Sequence, residues 1–228
     1  MTTGTKNWDA HVAHAEEVAR GAGFGRLRDR ILELAAPQAD DVVVDVGAGT
    51  GLLTLPLAER VTKLWAIDIS PLMGEYLRAK AASAGLENIE TVTASAVSLP
   101  LVDSSADVVV SNYCFHHLDD AGKRRALDEI RRVLRPGGRL VFGDMMFRVS
   151  MTEGRDRRVV LATVRAMLRK GPAGVVRLAR NAGRLASGRW EHPARAGWWA
   201  DALADTGFVE VAVEPLEHEG GIATARRP

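Results

Sequence analysis

The chain contains a single cysteine, Cys114, among its 228 residues. One thiol excludes a disulfide framework and any metal site built from clustered cysteines. The sequence has no run of 18 apolar residues, and its N-terminal stretch lacks the apolar segment of a signal peptide. From these absences we expect a cytoplasmic protein without a membrane-spanning helix.

Charge is balanced in total and uneven along the chain. The formal net charge is +1, yet residues 146–195 carry 12 Lys and Arg against 3 Asp and Glu. Apolar residues recur at helical spacing there, and Gly171-Pro172 divides the segment into two helices. We expect a helical cap whose apolar stripes pack over a sheet. Contact with an anionic membrane surface or an acidic substrate is the alternative.

The stretch VVVDVGAGTG, from Val42 to Gly51, is the most informative in the chain. An uninterrupted apolar run is typical of a strand buried on both faces, as in a parallel sheet. Asp45 puts a carboxylate at the end of this strand. The alternating glycines that follow allow a ligand to approach the backbone, and a helix then presents its first N–H groups.

Two classes of ligand use such a turn. A dinucleotide fingerprint needs a small residue at the position where this chain has Leu52. Asp45 would repel an anionic pyrophosphate and attract a cationic ammonium or sulfonium group. Asp68 ends the next strand, 19 residues after Gly49, where a carboxylate can accept the ribose hydroxyls of an adenosine. This combination favours S-adenosylmethionine.

Four motifs in order resemble the class I S-adenosylmethionine-dependent methyltransferases, in particular the ubiquinone and menaquinone C-methyltransferase-like group (methyltransferase domain 11 type). They are VVVDVGAGTG, AIDISPLM (66–73), SAVSLPLVDSSADVVVSNYCFHHL (95–118) and ALDEIRRVLRPGGRLVFGD (126–144). The resemblance implies an enzyme whose cofactor is S-adenosyl-L-methionine. The family usually has Gly-Asp-Ala at 94–96, whereas this chain has Ala-Ser-Ala. Its serine can accept a hydrogen bond but adds no charge.

The resemblance also implies roles for individual residues. Asp45 and the turn backbone would hold the methionine end, Asp68 the ribose, and the residues after the third and fourth strands the adenine edge and the ammonium. The implied cofactor-binding set is Asp45, Gly47, Ala48, Gly49, Gly51, Asp68, Ile69, Met73, Ser95, Ala96 and Asn112.

Alternating strands and helices predict an α/β fold. The first five strands are predicted near 41–46, 63–68, 89–93, 106–112 and 138–144. Helices are predicted near 9–20, 25–36, 52–60, 71–84 and 120–134. We expect a doubly wound seven-stranded sheet, mostly parallel with an antiparallel last strand, and a helical cap after the fifth strand. The single methyltransferase domain would comprise N-terminal helices (1–36), a cofactor-binding core (41–145), the basic cap (146–195), and a C-terminal helix and strands (196–228).

Catalysis needs chiefly alignment, because the sulfonium methyl is already activated. His116 and His117 follow the fourth strand, and either could act as a base for an acceptor that carries a proton. Tyr113 and Asp144 are weaker candidates. His11 and His14 share a helical face and could form a metal pair with His116 or Asp144, but the sequence has no zinc signature and we expect no metal.

The predicted function is methyl transfer to a small-molecule acceptor by in-line displacement. A nucleic-acid methyltransferase guided by the basic segment is an alternative. Against it, Ser111-Asn112-Tyr113-Cys114 is not the Asn-Pro-Pro-Tyr type, and no appended nucleic-acid-binding module is visible. A non-catalytic S-adenosylmethionine-binding protein is the third possibility. The acceptor itself and the oligomeric state do not follow from the sequence.

Overall fold

The computed structural model describes residues 12, 16, 22–148, 153–186 and 191–228. Its strands are β1 (Val42–Val46), β2 (Lys63–Asp68), β3 (Ile89–Thr93), β4 (Ala106–Asn112), β5 (Leu134–Met145), β6 (Val209–Pro215) and β7 (Gly220–Arg226). The helices are α1 (Ala22–Ala35), α2 (Thr54–Ala58), α3 (Pro71–Ser83), α4 (Asp120–Val133), α5 (Gly154–Leu168), α6 (Pro172–Ala186) and α7 (Ala196–Asp205), with a 3-10 turn at Phe115–His117.

All seven strands form one sheet in the order β3-β2-β1-β4-β5-β7-β6. Strands β1 to β5 are mutually parallel, and β7 runs antiparallel to both of its neighbours. The predicted fold class is therefore confirmed. The strand order reverses between β1 and β4, and ligands of open α/β sheets bind in the crevice at the carboxyl ends of such strands.

The continuous apolar runs fill a core on each face of the sheet. In β1, Val44 and Val46 join the core on one face, whereas Val43 joins the core on the other. In β4, Val109 belongs to the first core and Val108 to the second. Alternate side chains of a strand point to opposite faces, so two buried faces require the unbroken valine runs that the sequence shows.

Two predicted boundaries differ from the structure. The sequence predicts that β5 begins at 138 after a glycine turn, but β5 follows α4 directly at Leu134. Leu134 pairs with Ala106, and the register then shifts before Val108, with Gly137 in a left-handed conformation. This irregular pairing makes the turn part of the strand. The helix expected over 52–60 is shorter, since α2 covers only five residues. Pro56 has no N–H to donate and so cannot form the helical hydrogen bond to the Leu52 carbonyl.

The root of the cap is tied to the sheet through Arg155. Its guanidinium donates to the carbonyls of Met146, Leu216, His218 and Gly220, at 2.7 to 3.0 Å. These carbonyls lie at the end of β5 and in the turn between β6 and β7. One side chain thus joins α5 both to the end of β5 and to the distant β6–β7 turn.

Beyond this root, the cap differs from the prediction that its apolar stripes pack over the sheet. Val159 is the one buried apolar residue of α5. In the described part of α6, 172–184, only Gly174 is buried, while Val175 and Val176 are 51% and 58% exposed. The two helices contact each other, and much of their apolar surface faces solvent.

The predicted N-terminal helix and the predicted lack of a membrane-spanning helix can be compared only with the described residues. Of the helix predicted near 9–20, Val12 and Glu16 are helical, and Glu16 forms an ion pair with Lys80 at 3.0 Å. The rest of that segment, with His11 and His14, lies outside the described residues. No helix in the described ranges has both the length and the apolar content needed to cross a bilayer.

The close approach of α5 and α6 predicts a cap-specific effect of one methyl group. A Cβ on Gly174 would overlap the Met167 carbonyl, whereas one on Gly183 of the same helix would meet no described atom within 4 Å. Gly174→Ala should destabilise the hairpin locally by about 1–3 kcal/mol, and Gly183→Ala should stabilise α6 by roughly 1 kcal/mol. Hydrogen exchange should become faster in 154–186 for Gly174→Ala alone and stay unchanged in β1 and β4. Equal exchange in the two variants would contradict the packing described.

Candidate functional site

The turn after β1 is tied to the end of β2. The N–H groups of Gly47 and Ala48 both donate to the Ile67 carbonyl, at 2.8 and 3.0 Å. Gly47, Gly49 and Gly51 have φ angles of 76°, 52° and 91°, in the left-handed region that side chains disfavour. The path of this turn therefore needs glycine at the alternate positions that the sequence supplies.

The three glycines differ in what surrounds them. A Cβ on Gly47 would lie 2.5 Å from the Cys114 Sγ atom, and one on Gly51 would lie 2.5 Å from the Leu77 Cδ1 atom. A Cβ on Gly49 would meet no atom of the described residues within 4 Å. Packing thus disfavours a side chain at Gly47 and Gly51, whereas Gly49 borders space that the described residues leave open to a ligand.

Asp45 is a buried carboxyl at the end of the central strand. Its Oδ2 atom accepts a hydrogen bond of 2.6 Å from the Thr54 hydroxyl at the start of α2. Burial raises the pKa of Asp45 to about 7, the Thr54 hydroxyl opposes this increase, and the charge of Asp68 adds to it. A cation near Asp45 would favour the ionised form, as the predicted ammonium or sulfonium ligand requires.

Asp68 connects the end of β2 to the glycine turn. Its Oδ2 atom accepts from the Gly49 N–H at 2.8 Å, and its Oδ1 atom accepts from the Ser70 N–H at 2.9 Å. The next residue, Ile69, is 45% exposed, whereas Met73 is buried. The carboxylate is therefore oriented by backbone donors, and an apolar side chain beside it is accessible to a ligand.

Ser95 stabilises a local turn after β3. Its hydroxyl accepts from the Val97 N–H at 3.4 Å, and its carbonyl accepts from the Ser98 N–H at 3.0 Å. Ser95 and Ala96 are both half-buried. A hydroxyl oxygen has two lone pairs, so this local contact leaves it able to accept a second hydrogen bond.

Asn112 ends β4 beside the glycine turn and carries an unsatisfied acceptor. Its Oδ1 atom is buried and has no hydrogen-bond partner within the described ranges. Tyr113 follows with a φ angle of 53°, and its N–H donates to the Gly143 carbonyl at 2.8 Å. A buried acceptor without a donor costs free energy, which a ligand that donates a hydrogen bond could offset.

His116 and Asp144 form a buried pair at the ends of β4 and β5. The His116 Nδ1 atom lies 2.6 Å from the Asp144 Oδ1 atom. The Oδ2 atom of the same carboxylate accepts from the N–H groups of Phe115 and His116, at 2.7 and 3.1 Å. Because an ionised carboxylate only accepts, it keeps the proton on Nδ1 and leaves the Nε2 lone pair available.

His117 has a carboxylate partner from the far end of the cap. Its Nδ1 atom lies 2.6 Å from the Glu191 Oε2 atom, and the His116 and His117 rings are 3.9 Å apart between centroids. The His192 N–H donates to the His116 carbonyl at 2.7 Å, which fixes the Glu191 segment over the 3-10 turn. Each imidazole is therefore oriented by its own carboxylate.

Two other groups beside the site are neutral near pH 7. Burial raises the pKa of the Cys114 thiol, and the charge of Asp144 raises it further. Burial likewise raises the pKa of the Tyr113 hydroxyl, with Glu219 and Asp144 adding to the effect. A neutral thiol is a poor nucleophile.

The structure brings the predicted residues to one edge of the sheet and adds two that sequence reasoning missed. The described ones lie in or directly after β1, β2, β3, β4 and β5, except Met73, which lies in the first turn of α3. Thr54 and Glu191 were missed. Thr54 opens the helix after the glycine turn, so a polar residue at a helix start was an available signal. Glu191 is 74 residues from His117, and no local pattern indicates the contact.

Comparison with known proteins agrees with this geometry. A family model described as a methyltransferase domain matches residues 43–138. An uncharacterised methyltransferase of Geobacillus thermodenitrificans is 36% identical over 166 residues, which cover 73% of this chain and 71% of that protein. A structure of a SAM-dependent methyltransferase from Aquifex aeolicus has 20% identity and a TM-score of 0.66, covering 95% of this chain and 98% of that one.

A second solved structure is similar over its whole length. It is a Haloferax volcanii methyltransferase in complex with the Trm112 methyltransferase activator, with 17% identity, a TM-score of 0.70, and coverage of 99% and 100% of the two chains. The chain therefore belongs to the methyltransferases, and its fold is that of the S-adenosylmethionine-dependent class. The predicted enzyme class and cofactor are confirmed, whereas nothing in the comparisons supports a nucleic-acid acceptor or a loss of catalysis.

The residues present fit the cofactor. Among the described residues, the space beside Gly49 is open to a ligand, and the Asn112 Oδ1 atom, which has no partner there, offers it an acceptor. Asp45 and Asp68 place two carboxyl groups near that turn, where a cationic ligand would favour their ionised forms. The assignment of each residue to a part of the cofactor stays a prediction.

The raised pKa of Asp45 predicts how stability depends on pH. The folded protein holds a proton that the unfolded chain releases near pH 3.8, so Asp45 lowers the free energy of unfolding as pH rises from about 4 to about 7. Asp45→Asn keeps an acceptor for Thr54 and removes this ionisation. In denaturant unfolding of the cofactor-free proteins, the free energy of unfolding of the variant should increase relative to that of the wild type from about pH 4 to about pH 7. Above about pH 7 the difference should stay constant. Parallel curves for the two proteins would contradict the assignment.

Proposed function

We propose that this methyltransferase transfers a methyl group to a small-molecule acceptor whose reacting group carries a proton. The observation that carries the proposal is the buried His116–Asp144 pair beside the glycine turn. An imidazole whose proton is held on Nδ1 presents a lone pair at Nε2, which suits it to accept a proton.

The cofactor half would be formed by the turn after β1 and the neighbouring strand ends. S-adenosylmethionine, when bound, supplies an activated methyl group for in-line displacement. Asp45 and Asn112 would hold the charged methionine end, Asp68 the ribose, and Ile69 the adenine. The wider set proposed for binding is Asp45, Gly47, Ala48, Gly49, Gly51, Asp68, Ile69, Met73, Ser95, Ala96 and Asn112. The open backbone at Gly49 and the orientation of Asp68 support this division.

His116 would be the base, and Asp144 would position it. The His116 side chain retains 7% of its surface accessible, while Asp144 is fully buried. Asp144 is held by N–H groups at both ends of its carboxylate, so the imidazole cannot rotate without losing its partner. His117 is more exposed, and its partner Glu191 is itself partly exposed, which supports His116 as the first choice.

The proposed acceptor class is inferred from the proton that His116 would accept and from the exposed residues of the cap. A phenol or quinol becomes nucleophilic when its hydroxyl proton is removed, and the motif order supports a place near the ubiquinone and menaquinone C-methyltransferases. The cap offers arginines together with exposed Val175 and Val176, which supports an amphiphilic or anionic acceptor and a peripheral contact with an anionic membrane surface. The acceptor would enter between the cap root and the histidine turn.

The proposal is tested by methyl transfer from radiolabelled S-adenosylmethionine. The panel should contain phenols and quinols with and without apolar tails, carboxylate-bearing analogues, O-methylated analogues that lack the proton, and nucleic acid for comparison. We expect turnover with a protic small molecule and none with its O-methylated analogue. Turnover confined to nucleic acid, or cofactor binding without turnover on any acceptor, would contradict the proposal.

His116→Asn tests the base directly. The asparagine amide can still donate to Asp144 but cannot accept the proton, so kcat should fall by about 100-fold or more, as expected for the loss of a general base. The Kd for S-adenosylmethionine should stay within about twofold, because His116 is not assigned to the cofactor. His117→Asn is the matched control and should change kcat much less. A larger effect at His117 than at His116 would exchange the two assignments.

A further inference from the structure

Three metal-ligating side chains converge at the histidine turn. His116 and His117 come from the 3-10 turn after β4, and Glu191 comes from the segment that leaves the cap. One potential ligand atom of each lies within 4.8 Å of those of the other two. No other group of three His, Cys, Asp or Glu residues converges in this way among the residues that the structure describes.

The orientation of the His116 imidazole suits a metal ion. Its Nδ1 atom is hydrogen-bonded to Asp144, which leaves Nε2 as the nitrogen that could bind the ion. Histidines that bind metals usually donate their other ring N–H to a carboxylate or carbonyl, which fixes the ring and raises its basicity. Asp144 has this relation to His116 and is itself held by the N–H groups of Phe115 and His116.

The third ligand is held in place by backbone. The His192 N–H donates to the His116 carbonyl at 2.7 Å, so the residue before it cannot move away from the turn without breaking that hydrogen bond. The Glu191 Oε2 atom and the His117 Nδ1 atom are 2.6 Å apart and share one proton. A dication between these two atoms would take the place of that proton and release it to solvent.

We propose that His116, His117 and Glu191 form a binding site for one transition-metal dication, with Zn²⁺ as the preferred ion. Two imidazole nitrogens and one carboxylate oxygen are a common zinc ligand set, and three protein ligands leave a fourth position for water or an acceptor oxygen. This cluster differs from the one considered from the sequence, which paired His11 and His14 with His116 or Asp144.

The site has a consequence that rests on the proposed function. The His116 Nε2 lone pair cannot bind a metal ion and accept a proton at the same time. An occupied site would therefore inhibit turnover of acceptors that need the base, and a chelator would restore it. The same turn would serve as a base when metal-free and as a metal centre when loaded.

The test is a titration of the tag-free, cofactor-free protein with Zn²⁺ by calorimetry in buffers of different ionisation enthalpy. We expect one equivalent to bind with release of a proton. Glu191→Gln should weaken binding at least tenfold. Glu153→Gln, which removes a cap carboxylate that pairs with Arg195 instead, should leave it unchanged. Co²⁺ should give the visible absorption of a four-coordinate centre in the wild type and lose it in His117→Asn.

Two controls keep the outcome unambiguous. The double variant His11→Gln/His14→Gln should bind Zn²⁺ like the wild type, and a loss of binding there would overturn the proposed ligand set. Absence of stoichiometric binding to the wild type, or equal binding by Glu191→Gln and Glu153→Gln, would overturn it as well. Metal binding is measured without acceptor. Its result therefore does not depend on whether turnover assays confirm His116 as the base.

Discussion

Two backbone N–H groups, those of Gly47 and Ala48, donate to the single carbonyl of Ile67, and the geometry of the site depends on this connection. It holds the turn after β1 against the end of β2, so that Asp68 can accept from the Gly49 N–H. The turn can lie so close only because position 47 has no side chain, since Cys114 occupies the space where a Cβ would lie. These contacts hold the ends of β1, β2 and β4 close together.

Two buried carboxyl groups at this edge of the sheet are stabilised in different ways. Asp45 has one described hydroxyl donor, and burial brings its pKa to about 7, so a substantial fraction is protonated until a cation arrives. Asp144 has backbone N–H donors at both oxygens and an imidazole besides. One carboxyl is thus ready to respond to a charged ligand, whereas the other is a fixed acceptor that orients a ring. The first suits cofactor binding and the second suits proton transfer.

The proposed acceptor half depends on contacts between segments that are far apart in sequence. Arg155 ties the start of the cap to carbonyls just after β5 and at the start of β7, and Glu191 ties its end to the histidine turn. Both ends are thereby anchored beside the site, while the tip of the hairpin stays exposed. An element anchored at its ends and loosely packed between them can change its packing around an acceptor without disturbing the sheet.

The sequence by itself determined the fold class, the glycine turn and the cofactor, because each is encoded in residues that are close along the chain. Apolar runs of strand length specify a buried parallel sheet, and three glycines with a preceding carboxylate specify the turn. Only the tertiary structure decided that Asp45 meets Thr54, that β5 starts early at Leu134, that the cap leaves its apolar residues exposed, and that Glu191 reaches His117. Those outcomes depend on which distant segments pack together, and a local sequence pattern does not indicate a partner 74 residues away.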